Sequence, residues 1–240
     1  MLSETERLAE DGVPWSPWAA VGLWAAGFFG SAVWVSFLLT LVGSNDDLTG
    51  SVPWLFVGQI ALWVAYGLGP LILARQHGVR YESAFNLSFR GRDVAIWGFA
   101  GLLVQLVVIP LVYVPLRSII DSEEVGEQAE QLIETAGNPV DVVLLFIMIV
   151  LIAPVVEELF FRGTALPAIM TRLGAPAAVL ISSVWFAASH LQLVQFPGLL
   201  AVGLVLGVCR VYTRSLVPAI ALHMAFNGVT FGVLVSQLEF

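Results

Sequence analysis

The segment Val156-Glu157-Glu158-Leu159-Phe160-Phe161-Arg162 sets two adjacent glutamates and an arginine at the end of the apolar run 142–152. Two of the three histidines, His190 and His223, also lie in apolar surroundings, and Asn227 follows His223 by four residues. Each charge moved into hydrocarbon costs roughly 2.5–3.5 kcal/mol even on a lenient insertion scale, so ionisable residues at membrane depth mark functional sites by default. A buried glutamate beside an imidazole can activate water as a general base. An imidazole and an amide on one helix face can donate hydrogen bonds to a developing oxyanion. Two histidines and a carboxylate would also suit catalytic zinc with one position open for water, the ligands being Glu157, His190 and His223. The usual H-E-x-x-H arrangement is absent, and metal-free activation of water is the preferred reading. The bland alternative is a polar network that only fixes helix register.

Helical geometry divides the labour. Glu158 and Arg162 are four residues apart in the favoured acid-before-base order and share a face. Glu157 is rotated about 100° from Glu158 and points elsewhere, toward the bundle interior. If residues 140–173 form one helix, bent near Pro154, that turns back at Leu173-Gly174-Ala175, Glu157 and His190 sit at nearly the same depth. At about 1.5 Å per residue that depth is roughly 23 Å from the turn. His223 and Asn227 then lie roughly 14–20 Å inward from Arg214, and the spacing allows one shared cluster. His77, in an arginine-containing loop, is read as an ordinary surface histidine.

The elements that must hold these residues are membrane helices. The chain is 58% hydrophobic and 12% charged with a mean hydropathy of +0.90, far from the roughly 25% charged residues of soluble domains. Apolar stretches of spanning length occur near 18–42, 53–75, 93–116, 140–161, 175–192, 196–213 and 216–235. The predicted fold is an all-α polytopic bundle of about seven to eight helices with the polar cluster inside the membrane. It is one membrane domain, divided into a cytoplasmic tail (1–17), N-terminal helices and loops (18–139) and a core (140–235). The acidic start, with Glu4, Glu6, Glu10, Asp11 and only Arg7, does not read as a cleaved signal. A single cysteine, Cys209, excludes an internal disulfide and a multi-cysteine metal site. The net charge of −8, with no basic patch on a soluble face, excludes a nucleic-acid partner.

All ten basic residues are arginines, and their positions predict orientation. Arg75, Arg80, Arg90, Arg92, Arg172, Arg210 and Arg214 fall in alternate loops. The loops around Asp46-Asp47 and Asp121–Glu134 contain only Arg117. The positive-inside rule then puts the N-terminus in the cytoplasm and the C-terminus outside. Residues 121–136 carry Val125, Ala129, Leu132, Ile133 and Ala136 at helical spacing among acids, which predicts an amphipathic helix packed on the outer surface. Gly203 and Gly207 permit close helix packing. No internal repeat is visible, which disfavours a proton-relay transporter.

The polar residues resemble the motif set of the CPBP family, the CAAX prenyl endopeptidase and bacteriocin-processing membrane proteases, also called the Abi family. E-E-x-x-x-R stands as Glu157-Glu158-Leu159-Phe160-Phe161-Arg162, F-x-x-x-H as Phe186 to His190, and H-x-x-x-N as His223 to Asn227. The resemblance covers about residues 140–232. It implies that Glu157 and His190 activate the attacking water, that His223 and Asn227 stabilise the oxyanion, and that Glu158 and Arg162 support the site. The implied function is an intramembrane endopeptidase of the lipid bilayer. It would act on a membrane-associated protein or peptide and require no cofactor. The competing class is a non-enzymatic scaffold or bacteriocin-immunity factor.

Overall fold

The computed structural model describes residues 12–43, 50–120 and 126–236. The acids and Arg7 of the N-terminal tail, Asp46-Asp47 and residues 121–125 lie outside the described residues. The described residues are helical, with no strand among them. Six helices are long and apolar enough to cross a membrane. In chain order the helices are Pro17–Val42 (α1), Val52–Gln76 (α2), the short Tyr81–Phe85 (α3), Gly91–Leu116 (α4), the surface helix Glu127–Glu134 (α5), Pro139–Ser189, Phe196–Thr213 (α8) and Val217–Val235 (α9).

The long Pro139–Ser189 element combines two of the predicted spans. Gly174, at φ +76° and ψ 168°, breaks its helical path and separates residues 139–173 (α6) from 175–189 (α7). A left-handed φ is open to glycine because it has no Cβ. The two limbs fold back on each other: Phe161 and Phe186, nearly equidistant in sequence from Gly174, meet edge to face at 5.3 Å. The limb α7 is shorter than the predicted 175–192. It ends at Ser189, with His190 as its cap and Leu191 at φ +56°.

Proline sets both the starts and the irregularities of the helices. Pro17, Pro53, Pro139, Pro197 and Pro218 each occupy a first turn, where the missing N–H breaks no intrahelical bond. Ser16 accepts a hydrogen bond from Ala19 N–H at the start of α1, and Asn138 accepts from Val140 and Asp141 N–H at the start of α6. Pro110, Pro154 and Pro167 lie inside long helical paths. Each is immediately preceded by a widened, π-type turn, over 104–108, 147–152 and 161–165 respectively. A proline ring displaces the carbonyl four residues earlier and cannot bond it, and a turn with i→i+5 bonding absorbs the mismatch. The bend expected near Pro154 takes this form.

The most extensive helix contacts pair α4 with α9, α7 with α8, and α1 with α2. Glycines permit the close approaches. A Cβ on Gly203 would meet Ser183 Cβ at 3.1 Å, and one on Gly207 would meet Val179 Cγ1 at 3.0 Å, so this small-residue pair serves the contact of α7 with α8. At the arginine-rich end, Asn86 and Ser215 tie two loops together. Asn86 Nδ2 donates to the Arg214 carbonyl, and Ser215 Oγ donates to the carbonyls of Asn86 and Ser88. The surface helix α5 is packed as expected: Ile133 is buried with Val52, Leu145 and Phe231, while Glu127, Glu130 and Glu134 are exposed. His77 donates from Nδ1 to the Leu73 carbonyl and lies edge-on to Trp15.

A Cβ on Gly101 would run into the Leu222 carbonyl oxygen, whereas Gly98, three residues earlier on α4, has open space. Gly101→Ala is therefore expected to destabilise the detergent-solubilised protein by about 1–3 kcal/mol. Gly98→Ala leaves the melting temperature unchanged or slightly raised.

Candidate active site

The site is built from α6, α7, α8 and α9 around one buried carboxylate. Glu158 and Arg162 are fully buried, one helical turn apart on α6, and Arg162 Nη1 donates to Glu158 Oε1 at 2.9 Å. The same Oε1 accepts from His223 Nδ1 on α9 at 3.0 Å. Arg162 Nη2 donates to the Gly203 carbonyl on α8 at 3.1 Å, reachable because Gly203 brings that backbone close. The guanidinium also lies over the Phe186 ring at 4.6 Å, a cation–π contact from α7. Four helices thus converge on one ion pair.

Glu157 occupies a different environment. Its side chain is 21% exposed, against 0% for Glu158, and its Oε2 lies 3.8 Å from His223 Nε2. The roughly 100° rotation between adjacent helical residues produces this separation, but Glu158, and not Glu157 as the spacing suggested, takes the fully buried position because it carries the pair with Arg162. The addition is that His223 stands between the two glutamates, one ring nitrogen toward each. With Nδ1 donating to Glu158, the ring is held in one orientation.

His190 donates from Nδ1 to the Phe186 carbonyl at 2.8 Å, which leaves Nε2 as its free ring nitrogen. Among the described residues no hydrogen bond or ion pair joins it to Glu157. It faces instead, with Asn227, a cavity of about 540 Å³ bounded by α4, α5, α6, α8, α9 and the turn between α7 and α8. Asn227 Nδ2 donates to the Ile149 carbonyl at 2.9 Å, inside the widened turn before Pro154. Its second N–H remains for other partners. The spacing alone suggested that His223 and Asn227 would aim at one point. The fold commits one amide hydrogen to the backbone and turns both histidine nitrogens toward carboxylates.

Sequence reasoning missed several contributors. Gln105 of α4 lines the cavity with Gln192, Gln195 and Thr230, and its buried Oε1 has no hydrogen-bond partner among the described residues. The signal for it was Pro110, whose widened turn holds Gln105. Tyr66 of α2 stacks on Phe160 at 4.4 Å, and Trp24 of α1 donates from Nε1 to Ser189 Oγ at 2.9 Å, so the N-terminal helices wall the site. Zinc held by Glu157, His190 and His223 would require their donors to converge. Among the described residues no three of His, Cys, Asp or Glu do so.

Removing one partner of a buried ion pair leaves an uncompensated charge. Arg162→Met is therefore expected to lower stability by about 3–5 kcal/mol in chemical denaturation of the detergent-solubilised protein. Adding Glu158→Met to the same chain restores part of that loss, because the orphaned carboxylate goes with it.

Residues 139–229 match the family model described as type II CAAX prenyl endopeptidase Rce1-like. A protein of Escherichia coli described as an uncharacterized 24.3 kDa protein is 36% identical over 103 residues. That match covers 39% of this chain and 45% of the relative, less than half its length. No solved structure gives a significant match. The matched region contains the whole buried network and its two neighbours at the cavity, from α6 to Asn227. Over residues 139–229, which hold the buried network, the chain is thus similar to the type II CAAX prenyl endopeptidase Rce1-like family.

Proposed function

We propose that the protein is an intramembrane endopeptidase that hydrolyses a peptide bond of a membrane-associated protein or peptide. The observation that carries this reading is the junction of a partly accessible carboxylate, Glu157, with a histidine held by a second carboxylate, one helical turn from Asn227, which with His190 faces the cavity.

In this reading Glu157 and His190 take a proton from water as its oxygen attacks the scissile carbonyl carbon. The carbonyl π electrons move to oxygen, and His223 and Asn227 stabilise that oxyanion. The intermediate collapses, the carbon–nitrogen bond breaks, and the proton passes to the leaving amine. A carboxylate and an amine are released. Glu158 and Arg162 position His223 and do not touch the substrate. The close approach of Glu157 to His223 favours a second assignment, in which these two act together as the base and His190 Nε2 serves the oxyanion. Neither assignment routes a step through a metal, and the N-terminus lies in the cytoplasm on the arginine distribution.

Glu157→Gln is expected to lower kcat at least 10²-fold, the usual span for a general base being about 10²–10⁴. Peptide fragments from membranes of wild-type and Glu157→Gln cells, compared by mass spectrometry, give the readout and the substrate together. Asn227→Ala is expected to lower kcat by about 10²–10³. Full biological activity in correctly folded Glu157→Gln and His190→Ala would instead establish the scaffold class. Purified enzyme dialysed against a strong chelator, with metal content followed by elemental analysis, is expected to retain its activity.

A further inference from the structure

The cavity and the arginines occupy opposite ends of the bundle. Gln105, Ile109 and Tyr113 come from the second half of α4, which begins just after Arg90 and Arg92. Asn227 and Phe231 come from the second half of α9, which begins just after Arg214. Gly198 comes from the first turn of α8, which runs toward Arg210. Every spanning helix that lines the cavity does so from its arginine-distal half. At the cavity end the described residues contain Arg117 as their one arginine, whereas Arg75, Arg80, Arg90, Arg92, Arg172, Arg210 and Arg214 gather at the other.

Resting on the protease reading, we infer that the cavity receives its substrate from the extracytoplasmic face, and that the substrate is a peptide with basic residues flanking an apolar segment. The side follows from the positive-inside rule, which assigns the arginine-rich end to the cytoplasm. A substrate anchored only in the cytoplasmic leaflet meets the wrong end of the bundle. The flanking charge follows from the rim. Gly126, Leu132 and Ile133 of the α5 region line the cavity, while Glu127, Glu130 and Glu134 of the same segment are exposed beside it, with Asp141 at the start of α6. None of these four carboxylates is in an ion pair among the described residues. A one-signed rim beside a low-dielectric cleft raises the local concentration of oppositely charged ligand, and salt weakens the effect. The cavity wall supplies mostly apolar side chains with the amides of Gln105, Gln192 and Gln195, suited to an apolar chain with peptide groups.

Two exposed serines flank α4, Ser88 at the arginine end and Ser118 at the cavity end, and the lone Cys209 is buried. In a Cys209→Ala background, Ser118→Cys is expected to react with a membrane-impermeant maleimide on intact cells, and Ser88→Cys only after permeabilisation. The reverse pattern overturns the sidedness whatever the enzyme cleaves. Purified protein in detergent is then given two quenched-fluorescent peptides with one apolar core, flanked by arginine or by glutamate. The arginine-flanked peptide is expected to show kcat/KM about tenfold higher at low salt. The difference should shrink in high salt and in the variant carrying Glu127→Gln, Glu130→Gln and Glu134→Gln together. Equal rates for the two peptides overturn the charge preference. Failure of wild type to exceed Glu157→Gln on either peptide defeats the protease reading itself, and the labelling result stands apart from it.

Discussion

The structure depends on a single buried carboxylate oxygen. Glu158 Oε1 accepts from Arg162 and from His223, and Arg162 continues to the Gly203 carbonyl, so one atom ties α6 to α9 and, through the guanidinium, to α8. A lone charge at this depth would be expelled or neutralised, and even a paired one is weak evidence for stability. The arrangement is better understood as positioning. By carrying the ionic load, Glu158 and Arg162 hold the His223 ring fixed and leave Glu157 with the more accessible carboxylate of the pair.

Around that atom the chain builds an aromatic enclosure. Phe160, Phe161, Trp185 and Phe186 meet edge to face, Tyr66 stacks on Phe160, and Arg162 lies over Phe186. These rings exclude water from Glu158 while offering the guanidinium a favourable face. The three widened turns place the remaining polar groups. Because proline prevents the regular bond pattern, carbonyls and side chains near it are re-aimed. Ile149 thereby accepts from Asn227, and Gln105 is presented to the cavity.

Much of this was legible in the residues. Hydropathy located the spans, Gly174 marked the reversal, and the spacing of Glu158 and Arg162 identified an ion pair. The reversal brings Phe161 against Phe186, the antiparallel geometry that counting residues from the turn had required. Less legible were the N-terminal helices, which in sequence look only like apolar spans. Tyr66, Trp24 and Gln105 enter the site through packing between helices far apart in the chain, and no local pattern encodes such contacts.

The sequence by itself determined the solvent, the helices, the hairpin and the chemical inventory, because burial cost and the 3.6-residue period act locally. Only the tertiary structure decided how that inventory is shared. It put His223 between two glutamates, gave one Asn227 hydrogen to Ile149, turned His190 toward the cavity and placed that cavity at the end away from the arginines. Those outcomes depend on how helices rotate and approach one another. Rotation and approach are set by glycine contacts, aromatic packing and proline-widened turns acting together, and no single residue's identity specifies them.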